Sequence, residues 1–190
     1  MLSVAALVLM VAAAEGDALK GFSAALFGAA LVVLYLSSTL YHLVTTPRLK
    51  AFFQMLDHAS IFLLIAGSYT PLALVGLGGG WGWGVFGVIW ALALGGVTLK
   101  GISHGRGRLD SRFSTALYVA MGWLVVLVFG RVLEAVPPGG IWLLVAGGLS
   151  YTGGIAFFAW HRLTFNHAIW HLCVLAGSVC HVLATLIYIM

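Results

Sequence analysis

Residues 166–189 read NHAIWHLCVLAGSVCHVLATLIYI, a stretch that contains no Asp, Glu, Lys or Arg. At 1.5 Å per residue, a helix over this stretch is about 36 Å long, which is enough to cross a hydrocarbon core about 30 Å thick. The stretch is apolar all round and lacks the alternating pattern of a barrel strand. It therefore predicts a membrane-spanning α-helix.

The rest of the chain has the same apolar character. Of its 190 residues, 62% are hydrophobic and only 7% are charged, which leaves too little polar surface for a soluble domain of this size. Charged or glycine-rich breaks divide the sequence into seven apolar segments. We predict an all-α membrane protein that forms a single seven-transmembrane helix bundle. The predicted helices cover approximately residues 1–14, 20–44, 52–75, 81–99, 112–130, 140–160 and 166–189.

Basic residues predict the orientation of this bundle. They fall mainly in the second, fourth and sixth loops, which the positive-inside rule places in the cytoplasm. With seven helices, the N-terminus is then cytoplasmic and the C-terminus extracytoplasmic. The basic loop residues are Arg48 and Lys50, then Lys100, Arg106, Arg108 and Arg112, and then Arg162. Because these cations are spread over three short loops, the net charge of +4 predicts no nucleic-acid partner.

Five polar residues lie near the cytoplasmic ends of three predicted helices. Ser38 and His42 end the second helix, Asp57 lies near the start of the third, and His167 and His171 open the seventh. Ionisable residues inside a membrane are costly and usually serve a function. Residues spaced by four share one helical face, so each pair points in one direction. The topology therefore predicts that all five residues share one depth in the bilayer.

Three imidazoles and a carboxylate at one level are typical of an open zinc site. We predict that His42, His167 and His171 bind Zn²⁺, with a water in the fourth position whose pKa the metal lowers towards 7. Asp57 would hold or deprotonate that water. Ser38 would donate to a substrate carbonyl or its oxyanion, or else hydrogen-bond back to its own helix.

Two further residues carry expectations about the bundle. His181 lies about 15 Å beyond His171 along the helix, which is too far for it to join the metal site. It is either a hydrogen-bonded interior histidine, which we favour, or a residue that lines a route towards the far leaflet. Pro71 lies inside the third predicted helix and predicts a kink or a local opening of its backbone.

Three segments carry a resemblance to a known family. They are residues 38–42 (STLYH), residues 57–58 (DH) followed by 65–71 (IAGSYTP), and residues 167–171 (HAIWH) followed by 176–178 (AGS). In combination they resemble the hemolysin III branch of the progestin and adiponectin receptor family. The resemblance implies a seven-helix bundle with zinc near the cytoplasmic face, bound by the three histidines. It also implies that Asp57 contacts the metal-bound water and that Ser38 lies nearby.

The wider set of membrane hydrolases around this family includes the alkaline ceramidases. From the residues and the resemblance together, we predict a zinc-dependent integral membrane hydrolase that cleaves a lipid amide or ester and serves membrane-lipid homeostasis. Its partners would be membrane lipids, and in a bacterium it would lie in the cytoplasmic membrane. Two alternatives remain open: a zinc-stabilised receptor or scaffold without turnover, and a proton or ion pathway, because His and Asp also form relays inside bundles.

Overall fold

The computed structural model describes residues 1–104 and 111–190 of the chain. Within these ranges the backbone forms seven helical segments and no strand. They are α1 (Leu2–Ala13), α2 (Ala18–Leu43), α3 (Pro47–Leu77), α4 (Gly79–His104), α5 (111–135), α6 (Pro138–Ala159) and α7 (Asn166–Ile189). Six of these segments are long and apolar enough to span a membrane, and α1 is a shorter apolar helix. The predicted all-α, multi-pass membrane architecture is therefore confirmed.

The ends of α2 and α3 are set by local chemistry. Asp17 caps α2, and its carboxylate accepts hydrogen bonds of 2.9 Å from the backbone N–H groups of Leu19 and Lys20. These bonds, above all the one from Lys20, lower the pKa of Asp17. At the other end, α2 stops one residue after His42, and Pro47 then opens α3, where its missing N–H costs nothing. His42 is thereby held in the last turn of α2.

The backbone of α3 opens directly after Pro71, as predicted. The α-helix over Pro47–Pro71 widens into a π-helical turn over Leu72–Leu77. Pro71 has no N–H to donate to the Gly67 carbonyl and its ring crowds that preceding turn. The π-helical turn follows immediately after it. The Thr70 hydroxyl is held beside this opening, since it donates to the Ala66 carbonyl at 2.8 Å and accepts from the Trp90 indole at 3.0 Å.

A second irregular stretch interrupts α5. Its backbone is 3₁₀-helical over Trp123–Val128, between two α-helical parts. The hydroxyl of Tyr69 in α3 bonds to this region twice: it donates to the Gly122 carbonyl at 2.7 Å and accepts from the Val125 N–H at 2.9 Å. One side chain therefore satisfies two backbone groups that the change of helix type leaves without regular partners.

Helices α6 and α7 pack closely through small residues. A Cβ added at Gly147 would lie 2.5 Å from the His181 ring, and one added at Gly177 would lie 2.9 Å from the Tyr151 ring. Small residues allow such close approach between membrane helices. These two glycines bring the aromatic rings of Tyr151 and His181 against the partner helix in the centre of the bundle.

The contact between α2 and α3 depends on Gly67 in the same way. A Cβ at this position would lie 2.8 Å from the Ala30 side chain and 3.3 Å from the Phe27 backbone. We expect Gly67→Ala to destabilise the folded protein by about 1–3 kcal/mol because it overpacks this contact, which a thermal unfolding scan in detergent would detect. Gly95→Ala is the matched control, since nothing lies within 4 Å of its added Cβ. Equal midpoints for the two variants would contradict the role of Gly67.

Candidate metal centre

Three predicted histidines converge where α2 ends and α7 begins. The Nε2 atom of His167 lies 3.4 Å from that of His42 and 3.0 Å from that of His171. One ring nitrogen from each residue lies within 4.8 Å of the other two. The i, i+4 spacing puts His167 and His171 on one face of α7, and α2 supplies the third imidazole from the opposite side. We call His42, His167 and His171 the histidine triad.

The separations within the triad fit a bound metal ion. A tetrahedral ion that binds nitrogens at about 2.0–2.1 Å holds them about 3.3 Å apart, close to the two Nε2 distances in the triad. A proton shared between two imidazoles satisfies one pair of nitrogens, whereas here a third ring nitrogen points to the same place. A cation accounts for all three lone pairs at once. The triad can therefore hold a metal ion.

Aromatic side chains pack around the triad and limit the rotation of its rings. The ring centroid of Trp170 lies 4.6 Å from that of His171, and Tyr41 lies 4.9 Å from His42. His42 is exposed, whereas His167 and His171 are half-buried. The triad is thus held by packing on one side and open on another, as a site that exchanges water or ligand requires.

Asp57 and Ser38 form a neighbouring pair. Asp57 is buried, with 5% of its surface exposed, and the Ser38 side chain lies next to its carboxyl group. The Ser60 hydroxyl donates to the Asp57 carbonyl at 2.7 Å and lies 3.2 Å from the Ser37 hydroxyl, which links α3 to α2 at this level. Among the residues described, the group that could hold a metal contains the three histidines and not Asp57.

A cavity of about 380 Å³ adjoins this pair and the triad. Ser38, Asp57 and His171 contribute polar atoms to its wall, but most of the lining is aliphatic or aromatic and comes from α2, α3, α5, α6 and α7. Examples from the apolar lining are Leu34, Ile61, Val126, Leu144 and Val174. These polar side chains therefore border a mainly apolar space.

His181 also lines the cavity, and the expectation that it is a hydrogen-bonded interior histidine is wrong. Its Nδ1 atom is buried without a hydrogen-bond partner in the described part of the chain. The alternative expectation, that it lines a route into the bundle, agrees with its position on the cavity wall.

The sequence predicted no role for Tyr35, Tyr151 or Ser178, although Ser178 belongs to the AGS segment that carries the family resemblance. Their hydroxyl groups meet inside the bundle, with Ser178 bonded to both tyrosines at 2.9 Å. A spacing pattern could have found part of this group, because Tyr35 and Ser178 each lie two helical turns deeper than a triad residue, His42 in α2 and His171 in α7.

The structure describes only some of the basic residues that predict the orientation of the bundle. Lys100 is buried, with its ammonium group 3.3 Å from the Ser114 hydroxyl. Arg106 and Arg108 lie outside the described residues, as does the side chain of Arg112. The orientation of the bundle therefore remains a prediction.

Comparison with known proteins supplies the family. The sequence profile of the Haemolysin-III related family matches residues 1–182. The chain is 40% identical to "Hemolysin-3" of Bacillus cereus, over 100% of this chain and 86% of that protein. It is 38% identical to the "Hemolysin-3 homolog" of Bacillus subtilis (strain 168), over 99% of this chain and 88% of that protein.

A more distant similarity extends to animals. The chain is 30% identical to the human "Monocyte to macrophage differentiation factor", over 87% of this chain and 69% of that protein. No solved structure matches the chain significantly. With its apolar spanning helices and a profile match over nearly its whole length, the chain belongs to the Haemolysin-III related family of multi-pass membrane proteins.

Proposed function

We propose that this protein is a zinc-dependent membrane hydrolase that cleaves a lipid amide or ester. The observation that carries the proposal is the apolar cavity of about 380 Å³, whose wall contains His171, Asp57 and Ser38. A hydrocarbon chain in this cavity would bring its carbonyl group to the polar side chains. The family resemblance to membrane hydrolases favours the same chemistry.

Zinc suits the histidine triad better than other common ions do. Three imidazoles with an open fourth position are a known catalytic zinc set, and carboxylate-preferring ions such as Mg²⁺ or Ca²⁺ find too few oxygens here. Bound there, zinc would polarise a carbonyl group and lower the pKa of water towards 7. The positive-inside rule places the triad at the cytoplasmic face, since Arg48 in the first turn of α3 and Arg162 in the loop before α7 lie next to it in the sequence.

Asp57 is the proposed general base. It takes a proton from the attacking water as the new C–O bond forms at the carbonyl carbon. It then returns the proton to the leaving nitrogen or oxygen as the old C–N or C–O bond breaks, so that the products are a fatty acid and an amine or alcohol. The Ser38 hydroxyl orients the Asp57 carboxylate and, by rotating, can donate to the developing oxyanion.

A zinc-stabilised receptor or scaffold without turnover is the second candidate. The histidine triad joins residues from opposite parts of the chain, so a bound ion would cross-link α2 and α7 even without catalysis. A proton or ion pathway is the third candidate, since His and Asp side chains also form relays inside helix bundles. It is less well supported, because Val174 lies on the cavity wall in the turn of α7 that follows His171.

Lipid cleavage by the purified protein tests the proposal. We expect the protein, purified without chelator and reconstituted in vesicles, to release fatty acid from a long-chain ceramide or from a long-chain ester. Mass spectrometry of the extracted lipids measures the release. A chelator should stop it, and added Zn²⁺ should restore it. If neither an amide nor an ester substrate is cleaved in a zinc-dependent way, the hydrolase proposal fails and the scaffold is favoured.

A further inference from the structure

A second set of polar side chains lines the cavity away from the histidine triad. Ser178 is its centre: its hydroxyl lies 2.9 Å from those of Tyr35 and Tyr151. Ser178 also bonds the Val174 carbonyl at 3.0 Å. We call Tyr35, Tyr151 and Ser178 the tyrosine–serine cluster. The two tyrosines form part of the cavity wall, and Ser178 is buried behind them.

The hydrogen bonds within the cluster leave acceptors unused. A hydroxyl group has one proton to donate and two lone pairs. The Ser178 proton goes to Val174, so both tyrosine hydroxyls donate to Ser178. All three protons are then engaged inside the cluster, and the oxygens of Tyr35 and Tyr151 keep free lone pairs. The cluster therefore favours a ligand group that can donate a hydrogen bond.

His181 adds a second unused polar group beside the cluster. Its ring centroid lies 5.6 Å from that of Tyr151, and the side chain forms part of the same cavity wall. Nδ1 is buried without a hydrogen-bond partner in the described part of the chain. A buried imidazole nitrogen without a hydrogen bond is unfavourable. A ligand group that hydrogen-bonds to the ring would offset part of that cost.

The cluster and the histidine triad lie in register on the same two helices. Tyr35 precedes His42 in α2 by two helical turns, and Ser178 follows His171 in α7 by two turns, a rise of about 10 Å in each case. His181 lies nearly one turn further. A lipid chain that has its carbonyl group at His171 would therefore reach the cluster about 10 Å further along its length and His181 about 15 Å further along.

We infer that the tyrosine–serine cluster and His181 bind a hydroxyl group on the hydrocarbon chain of the lipid in the cavity. The inference rests on the proposed function, since it takes the ligand to be a long-chain lipid. A hydroxyl can donate to a free tyrosine oxygen and also accept from, or donate to, the imidazole. A charged group does not fit, because no Lys or Arg is among the described residues of the cavity wall. The preferred substrate class is thus a lipid with a hydroxylated acyl chain.

Binding of two fatty acids that differ by one hydroxyl tests the inference without requiring turnover. The probes are stearic acid and hydroxystearic acid with its hydroxyl near mid-chain, titrated against the detergent-solubilised holoprotein. We expect the wild type to bind the hydroxylated acid about three- to tenfold more tightly, as one or two net hydrogen bonds allow. Tyr151→Phe and His181→Phe should each reduce this ratio to about one, and the ratio is compared within each variant so that a change in overall lipid affinity cancels.

Tyr69→Phe is the matched control, because it also removes a tyrosine hydroxyl from the wall of the same cavity. Its hydroxyl is already engaged by the Gly122 carbonyl and the Val125 N–H, so the preference for hydroxystearic acid should persist. Thermal midpoints and zinc contents report whether each variant folds, and Tyr35→Phe replaces any variant that does not.

Three results would overturn the inference: equal binding of the two acids by the wild type, binding of neither, or a preference that survives in the cluster variants. The outcome is separable from that of the proposed function. Hydrolysis without a hydroxyl preference rejects the cluster as a subsite only. A hydroxyl preference that depends on the cluster, in a protein that cleaves nothing, supports the subsite and rejects the hydrolase.

Discussion

Replacing His171 with Ala is expected to remove most of the metal from the protein. Wild-type protein purified without chelator should contain about one zinc per chain, because three imidazoles form a complete set of protein ligands. Loss of a residue that only hydrogen-bonds to a metal ligand weakens zinc binding by about 10–100-fold, so loss of a ligand itself should cost at least about 100-fold in affinity. Metal analysis by mass spectrometry after gel filtration measures the bound ion.

His161→Ala is the matched control for this experiment. His161 is exposed and precedes α7, so its loss should leave the zinc content unchanged. Chelation should also lower the thermal midpoint of the wild type, since an ion bound only by the folded state stabilises it. The His171→Ala protein should start from the lower midpoint and respond little to chelator. Wild-type protein that contains no zinc would refute the zinc site.

Replacing Asp57 with Asn is expected to abolish lipid cleavage while the zinc remains bound. Asparagine keeps the shape of the side chain but loses the base and the negative charge, and general bases contribute about 10²–10⁴-fold to rates. We therefore expect at least about a 100-fold loss in the rate of zinc-dependent fatty acid release. The measurement is the vesicle assay with a parallel zinc analysis of the same preparation.

Asp17→Asn provides the control for a lost carboxylate. Asp17 caps α2 at the end opposite His42, and Asn caps helices about as well as Asp does. Its activity should equal that of the wild type. If Asp57→Asn loses as much zinc as the histidine variants do, Asp57 is a ligand rather than a base. If its cleavage rate is unchanged, Asp57 has no part in the mechanism.

Most of the fold follows from local properties of the sequence. Hydropathy is summed residue by residue, so the apolar stretches predict spanning helices before any tertiary contact is known. Helix ends are less predictable. The third helix begins at Pro47 rather than near residue 52, because proline fits the first helical turn and basic side chains such as Arg48 can extend to the membrane surface.

The three residues of the histidine triad could also be predicted from the sequence. His167 and His171 share a helical face because of their spacing, and loop charges place the end of α2 and the start of α7 on one side of the membrane. These arguments predict the depth of each histidine in the membrane but not the rotation of each helix about its own axis. Whether His42 faces α7 depends on how α2 packs against its neighbours, which no local pattern specifies.

The sequence by itself determined a multi-pass helical membrane protein, and it predicted a shared depth for the polar residues and a kink or local opening of α3 at Pro71. Only the tertiary structure decided that the triad nitrogens lie 3.0 and 3.4 Å apart, that an apolar cavity adjoins them, and that His181 is unpaired beside the tyrosine–serine cluster. The physical reason is the range of the interactions. Hydropathy and helical spacing act within one segment, whereas a cavity and a hydrogen-bond network depend on the relative rotation of several helices, and that rotation is set by close packing between residues far apart in the chain.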